Sequence, residues 1–427
     1  MLVVAVSVLL ALMLVAIPVA VALIMVAYTL GWGFSDFAFY QAIGAVLWSN
    51  SNNYTLLAIP LFILIGELLV RCGSASKAYS VMEAWLSWLP GGLIHANIGA
   101  SVLFSATTGS SVATAATIST IALPEGRRLD YNEGIFCGAI AAGGTLGILI
   151  PPSISLIIYG VLTETSIPKL FAAGLVPGLL LAICFSAVTC LLVIVKPTLV
   201  GNKTRKYSWK ERLLGMLHLT PMILLFVVMV GSIYTGIATP TEAAAAGLVA
   251  TLIIAFSSRR FRLKQLVEAL LSSFKTTGMI MLIVLASYCL NYVLSIIGIS
   301  DRIEMLFSDL DVSPMTTLLI VALVYLLLGF FIETLSLMVL TLPMLAPIVF
   351  AQGFDKVWFG IVVILLIEMA LITPPVGLNL YVVQSTRNRG SIIEVIYGAI
   401  PYIFAMLLML ILLIIFPSIA LFLPGRM

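Results

Sequence analysis

The sequence predicts an all-α polytopic membrane protein made of two inverted-topology repeats, each with five spans, a re-entrant helical hairpin and a broken helix. Three observations predict it. The 427 residues are 62% hydrophobic and 9% charged, with mean hydropathy +1.21, which describes a chain of many membrane helices and not a soluble domain with one anchor. Two diprolines, Pro151-Pro152 and Pro374-Pro375, interrupt long apolar runs. Proline lacks the N–H that a helix needs and its ring clashes with the preceding turn, so each helix breaks there. Finally, Pro18 matches Pro240, Pro124 matches Pro347, the diprolines match each other, and Pro177 matches Pro401, at offsets of 222, 223, 223 and 224. A near-constant shift across distant landmarks is the mark of an internal duplication.

The elements follow in order. Residues 2–16 and 18–32 are short apolar segments meeting at Pro18, which can start a helix at its first position; the first begins without a basic leader or cleavage site and reads as a retained span. Residues 36–49 suit a helix lying in the interface, and 54–71 form a clear span. Residues 76–90 carry Tyr79, Met82, Trp85 and Trp88 at three-residue spacing, an interfacial helix with aromatic anchors. The segment 93–127 is apolar at its ends but small and polar in the middle, which makes a poor span and a good re-entrant hairpin. The broken span 134–163 and a span at 170–195 follow, then a basic linker beginning at Lys196. The second half repeats the programme with spans at 218–235 and 241–257, a basic amphipathic segment at 259–274, a span at 276–298 and a charged stretch around Asp301 to Glu304. A hairpin at 313–350, the broken span 357–386 and a span at 393–420 complete it. The domain boundaries are a first repeat over 1–195 (scaffold 1–92, hairpin and broken helix 93–195), a cytoplasmic linker over 196–217, and a second repeat over 218–427 (scaffold 218–312, hairpin and broken helix 313–427).

An odd number of crossings per half inserts the second half upside down. With both termini periplasmic, 17 of the 21 Lys and Arg fall on the cytoplasmic side, and only Lys169, Arg302, Lys356 and Arg426 lie outside. Positive charge is retained in the cytoplasm. A hairpin that crossed fully would move later basic loops to the wrong side, so the re-entrant reading wins.

Broken backbone at membrane depth is tolerated only where it lines a cavity or binds something. The first half of a broken helix presents its last carbonyls and the second half presents free N–H groups and a positive dipole end. Carbonyls beside hydroxyls suit a hard cation such as Na⁺, and helix N-termini suit an anion. The tip Thr107-Thr108-Gly109-Ser110-Ser111 can face the break around Gly144, Gly147, Ile150 and Ser153, and the tip from Gly329 through Glu333 to Thr334 can face Ala370, Thr373 and Val376. The expectation is two pseudo-symmetric cation sites flanking one anion site, which takes Ser111, Pro152, Pro375, Gly377 and Asn379. The bland alternative for one break, a kink with small residues for close packing, weakens when both breaks are matched to polar hairpins. Glu333 and Glu368 are acids in apolar surroundings and functional candidates, with a structural hydrogen-bond network as the equal alternative; Glu67 reads as structural. The five cysteines show no metal-ligand spacing and read as packing residues, and His95 and His218 have no partner spacing. No acid, base and nucleophile converge, so an enzyme is not expected, no cofactor is called for, and the basic loops need no nucleic acid.

Four runs carry a family resemblance: Ala58 to Glu67 (AIPLFILIGE), Gly109 to Thr117 (GSSVATAAT), Gly143 to Ser153 (GGTLGILIPPS) and Thr373 to Asn379 (TPPVGLN). Together they resemble the large membrane subunit of tripartite ATP-independent periplasmic (TRAP) transporters, and the likeness covers essentially the whole chain. The resemblance implies a bacterial inner-membrane, Na⁺-coupled importer of small organic acid anions working by an elevator motion. It also implies two partners, a small four-helix membrane subunit and a periplasmic substrate-binding protein. Family cation ligands, carried over by motif, fall on Thr107, Ser110, Gly147, Ile150 and Ser153 for one site and on Gly329, Ala370, Thr373 and Val376 for the other. Ala370 stands where a glycine is familiar, a change that a carbonyl ligand survives. The GTLGILIPP pattern is more like dicarboxylate-type members than sialic acid ones. A stand-alone Na⁺/carboxylate symporter of related fold is the alternative.

Overall fold

The two halves fold into matching successions of helices because the same caps and breakers stand at matching places. The computed structural model describes the chain except residues 1–3, 5–6, 10, 13–14, 16, 202–206, 258–260 and 299–312. The expected span at 2–16, part of the linker and the charged stretch at 301–304 lie wholly or largely outside the described residues. In the first half α1 (Val19–Phe34), α2 (Tyr40–Ser51), α3 (Ala58–Arg71, entered through one tight turn at Tyr54–Leu57) and α4 (Ser74–Leu86) precede a hairpin of α5 (Leu93–Thr108) and α6 (Ser111–Arg128). The broken helix is α7 (Glu133–Leu149) and α8 (Ile154–Leu162), and α9 (Ile167–Val195) closes the half. In the second half α10 (Trp209–Tyr234), α11 (Pro240–Ser257) and α12 (Leu263–Ile296) precede a hairpin of α13 (Pro314–Gly329) and α14 (Thr334–Ala351). The broken helix is α15 (Lys356–Ala370) and α16 (Leu378–Arg387), followed by α17 (Ile392–Ile415) and the short α18 (Ser418–Leu421).

Matched helices begin on matched caps. Asn132 accepts from the Ile135 N–H (3.2 Å) and Asp355, 223 positions later, accepts from the Trp358 N–H (2.8 Å). Each satisfies a backbone donor that the first turn leaves orphaned. Ser110 and Glu333, at the same shift, cap the second limbs of the two hairpins. Packing also comes in exchanged pairs: α7 lies on α17 and α15 on α9, while α6 lies on α16 and α14 on α8. α1 packs on α12 and α3 on α11.

The first halves of the two broken helices are the core. Every residue of α7 from Ile135 to Leu149 is buried, as is every residue of α15 from Val357 to Ala370. Small residues permit this. Gly138 on α7 lies so close to the Gly398 carbonyl on α17 that a side chain at either position would meet backbone. Contact of this kind drives helix association where no hydrophobic effect operates between lipid-bathed helices.

Several sequence expectations change. Residues 259–274 and 276–298 are not two elements; α12 runs unbroken from Leu263 to Ile296, because nothing stronger than Gly278 stands between them to end a helix. The two breaks are unequal, four residues (150–153) against seven (371–377), and α7 and α8 meet at a 44° bend. Tyr79 is not an interfacial anchor: it is buried and donates to Asn97 Oδ1 on α5 (3.0 Å), whereas Trp88 is exposed. Among the described residues seven helices are long and apolar enough to cross a membrane, eight with the bent pair. One of the seven is the hairpin limb α14, so length and composition alone do not separate a limb from a span; the turn at 330–333 and the packing of α13 on α14 do. All five cysteines are free thiols.

Candidate functional site

The site is built where hairpin tips meet helix breaks. Pro151 and Pro152 have no N–H to offer the carbonyls of Gly147 and Ile148 four positions back, so those oxygens leave the helical ladder. The first tip comes to them. Gly109 takes the left-handed conformation (φ +58°), and a Cβ there would lie 3.0 Å from the Pro152 carbonyl oxygen and 3.3 Å from the Ile154 nitrogen. A Cβ on Gly147 would lie 2.7 Å from the Ser110 carbonyl oxygen and 3.0 Å from Thr114 Oγ1. Both glycines are required by these approaches. Thr114 Oγ1 donates to the Ser110 carbonyl (2.8 Å) and pairs with Thr108 Oγ1 (2.9 Å), which gathers three oxygens at the tip. Ile150 ends α7, its N–H on the Leu146 carbonyl (3.1 Å), and Ser153 caps α8 by accepting from the Leu156 N–H (3.4 Å). Thr107 closes α5 in helical backbone; its side chain lies outside the described residues.

The second pairing is built differently. A Cβ on Gly329 would lie 2.6 Å from the Ala370 methyl, so the end of α13 seats directly on the end of α15. Thr373 folds the break back, its N–H on the Ala370 carbonyl (3.2 Å) and its hydroxyl on the Met369 carbonyl (2.6 Å), while the Asn379 N–H takes the Leu371 carbonyl (3.1 Å). Glu333 is spent on capping: its Oε2 accepts from the Ser336 N–H (3.3 Å) and hydroxyl (3.2 Å). Thr334 is buried, Val376 is half-buried, and Pro375 is exposed. Gly377 turns the chain into α16 with φ +62°.

Between the two pairings lies a buried polar cluster drawn from both halves. Ser111 Oγ donates to Glu368 Oε2 (2.8 Å), and Asn379 Nδ2 donates to Ser111 Oγ (2.8 Å) and to the Ala141 carbonyl on α7 (3.3 Å). Pro152 is buried beside the first tip. Of the residues expected around an anion, Ser111, Asn379 and Pro152 are thus brought to the first tip, whereas Pro375 faces outward from the longer second break. The N-termini of α6 and α16 meet here through Ser111 and Asn379, and that of α8 lies against the first tip at Gly109; helix N-termini favour negative charge. The spacing arguments missed Thr114 as an oxygen donor and missed that Glu368 belongs with Ser111. Glu368 stood out in sequence as a buried acid, but its partner is 257 positions away.

A family profile described as "Tripartite ATP-independent periplasmic transporter, DctM component" matches residues 6–419. The chain belongs to that family. The C4-dicarboxylate TRAP transporter large permease protein DctM of Pseudomonas aeruginosa is 36% identical over 392 residues, covering 90% of each chain. The sialic acid TRAP transporter large permease protein SiaM of Vibrio cholerae is 32% identical over 394 residues, covering 91% of this chain and 89% of that one. Among solved structures, the YdaH transporter of Alcanivorax borkumensis superposes with a TM-score of 0.57 over 95% of this chain and 96% of its own at 14% identity, a likeness of fold. This DctM-family chain is therefore a multi-pass transporter permease subunit and not an enzyme, and it is one component of an assembly of several.

Proposed function

We propose that this chain is the transport subunit of a Na⁺-coupled importer that receives small organic acid anions from a periplasmic binding protein, works beside a small four-helix membrane subunit in the bacterial inner membrane, and moves its cargo by an elevator motion. The observation that carries the reading is the seating of each hairpin tip on its own helix break, Gly109 against Pro152 and Gly329 against Ala370. The first of these collects backbone and hydroxyl oxygens, which are the ligands a hard monovalent cation takes. The cation sites would use Thr107, Gly109, Ser110, Gly147, Ile150 and Ser153 on one side and Gly329, Thr334, Ala370, Thr373 and Val376 on the other, with Glu333 acting through its cap. The carboxylate cargoes in the names of the Pseudomonas and Vibrio relatives and the helix N-termini at the polar cluster and the first tip support an anionic cargo.

Reconstitution tests it. Proteoliposomes holding this chain, the small subunit and the binding protein take up organic acid when an inward Na⁺ gradient is imposed, and do not with K⁺ in its place. Uptake by this chain alone would establish a stand-alone symporter instead. Ser110→Ala and Thr373→Ala lower uptake; a membrane scaffold or receptor would keep its function with both.

A further inference from the structure

We propose that Glu368, Ser111 and Asn379 form a strut that makes the two cation sites bind interdependently, with Glu368 as the positioning residue. This rests on the sodium reading above. Ser111 is the first residue of α6, next to the Ser110 tip, while Glu368 lies in the last turn of α15, two positions before Ala370, and Asn379 opens α16 two positions after Gly377. The Ser111 hydroxyl spends its one proton on Glu368 Oε2 and accepts from Asn379 Nδ2, both at 2.8 Å. A hydroxyl held on both its donor and an acceptor side has no rotamer freedom left. Displacing the first tip therefore displaces Glu368 and Asn379, one on each side of the second break. Asn379 extends the link: its side chain reaches the Ala141 carbonyl on α7 and its own N–H takes the Leu371 carbonyl. Both broken helices and the first tip are joined through one side chain.

The fold does not demand the carboxylate. The 223-position shift takes Glu368 to Thr145 and Ser111 to Thr334, and the 224-position shift takes Asn379 to Ser155. At those places no carboxylate joins the elements: Thr145 donates to the Ala142 carbonyl of its own helix (2.6 Å) and otherwise meets only Met406 Sδ on α17 (4.0 Å), and Ser155 Oγ has no partner among the described residues. Only one half carries the acid. Glu368 is 1% exposed, and its Oε1 and the Asn379 Oδ1 have no hydrogen-bond partner among the described residues. An acid kept in such surroundings, with half its acceptor capacity unused, is costly and would not serve as packing, for which leucine or glutamine suffices.

The test is the sodium titration of thermal stability for the full chain purified with its small membrane subunit, choline replacing Na⁺ to hold ionic strength. Two coupled sites give the wild type a Hill coefficient of about 2. Ser111→Ala and Glu368→Ala bring it to about 1 and raise the half-saturating concentration about 5-fold or more. Glu368→Gln, whose amide oxygen still accepts from Ser111, keeps most of the cooperativity. Ser111→Ala removes a single oxygen, so it reports on the strut even where Glu368→Ala fails to fold. Wild-type cooperativity retained by Ser111→Ala, or a wild-type Hill coefficient of about 1 with sodium still stabilising, overturns the strut and leaves the sodium reading standing. A wild type indifferent to sodium overturns both.

Discussion

The methyl group of Ala370 rests on Gly329: a side chain at 329 would place its Cβ 2.6 Å from it. The two positions share one methyl's worth of space, so an alanine at the break is tolerated because a glycine ends the facing helix. Gly329→Ala should cost about 1–3 kcal/mol from overpacking and weaken sodium-driven uptake, Ala370→Gly should be mild, and the double exchange should recover both properties. Thermal unfolding and uptake of the four proteins check this; a double variant as poor as Gly329→Ala would remove the contact from the explanation.

Restoring the donors at the first break should silence it. Pro151→Ala and Pro152→Ala return N–H groups to the carbonyls of Gly147 and Ile148, which the prolines leave outside the helical ladder. Folded protein should persist while sodium affinity falls about tenfold or more, the equivalent of one ligand contact of ~1.4 kcal/mol. Unchanged sodium half-saturation in either variant would place the cation elsewhere.

Four elements end together on one ionic cluster. Glu133 at the start of α7 accepts from Arg127 of α6 (3.3 Å), Arg387 of α16 (2.6 Å) and Arg389, while Arg387 also pairs with Glu394 of α17. The Arg387 side chain is 4% exposed and that of Arg389 is 57% exposed. Arg387→Ala leaves a carboxylate without its inner partner and should destabilise by about 3 kcal/mol; lysine, which lacks the fork, should rescue only in part. Arg389→Ala should shift the unfolding temperature little, since exposed pairs contribute little. Equal losses for the two arginines would contradict this ranking.

The elevator motion proposed above requires the bonds between α12 and α14 to break during transport. Ser287 on α12 donates to the Val339 carbonyl on α14 (3.0 Å). A Ser287→Cys/Val339→Cys pair, oxidised in an otherwise cysteine-free background, should stop uptake, and dithiothreitol should restore it. Full-rate transport by the cross-linked protein would rule out sliding along this seam.

Orientation is open to labelling. Single cysteines replacing Lys169 and Lys356 should react with an impermeant thiol reagent from the periplasm, and one replacing Lys210 only after permeabilisation. Labelling of Lys169→Cys and Lys210→Cys from one side would refute the assignment of these loops.

What the sequence determined by itself is everything that depends on local chemistry. A missing proline N–H breaks a helix wherever the chain runs, so both interruptions, at 150–153 and 371–377, stood in the diprolines before any packing was known. A polar stretch inside an apolar run turns back at Gly109 because it does not suit a span, whereas the second turn, after Gly329, lies in an apolar run and its limb α14 is itself long and apolar enough to cross, so there the packing of α13 on α14 decides. Family membership follows from the same runs. What only the tertiary structure decided are relations between residues whose separation carries no periodicity. No repeat shift joins Ser111 to Glu368, and nothing local says that Tyr79 turns inward to Asn97 or that Glu333 closes its own helix cap. The unbroken α12 belongs here too, since amphipathic and apolar stretches merge into one helix unless a breaker intervenes. Local rules dictate where a backbone must stop or turn; which oxygens then share a cavity is settled by how the helices pack.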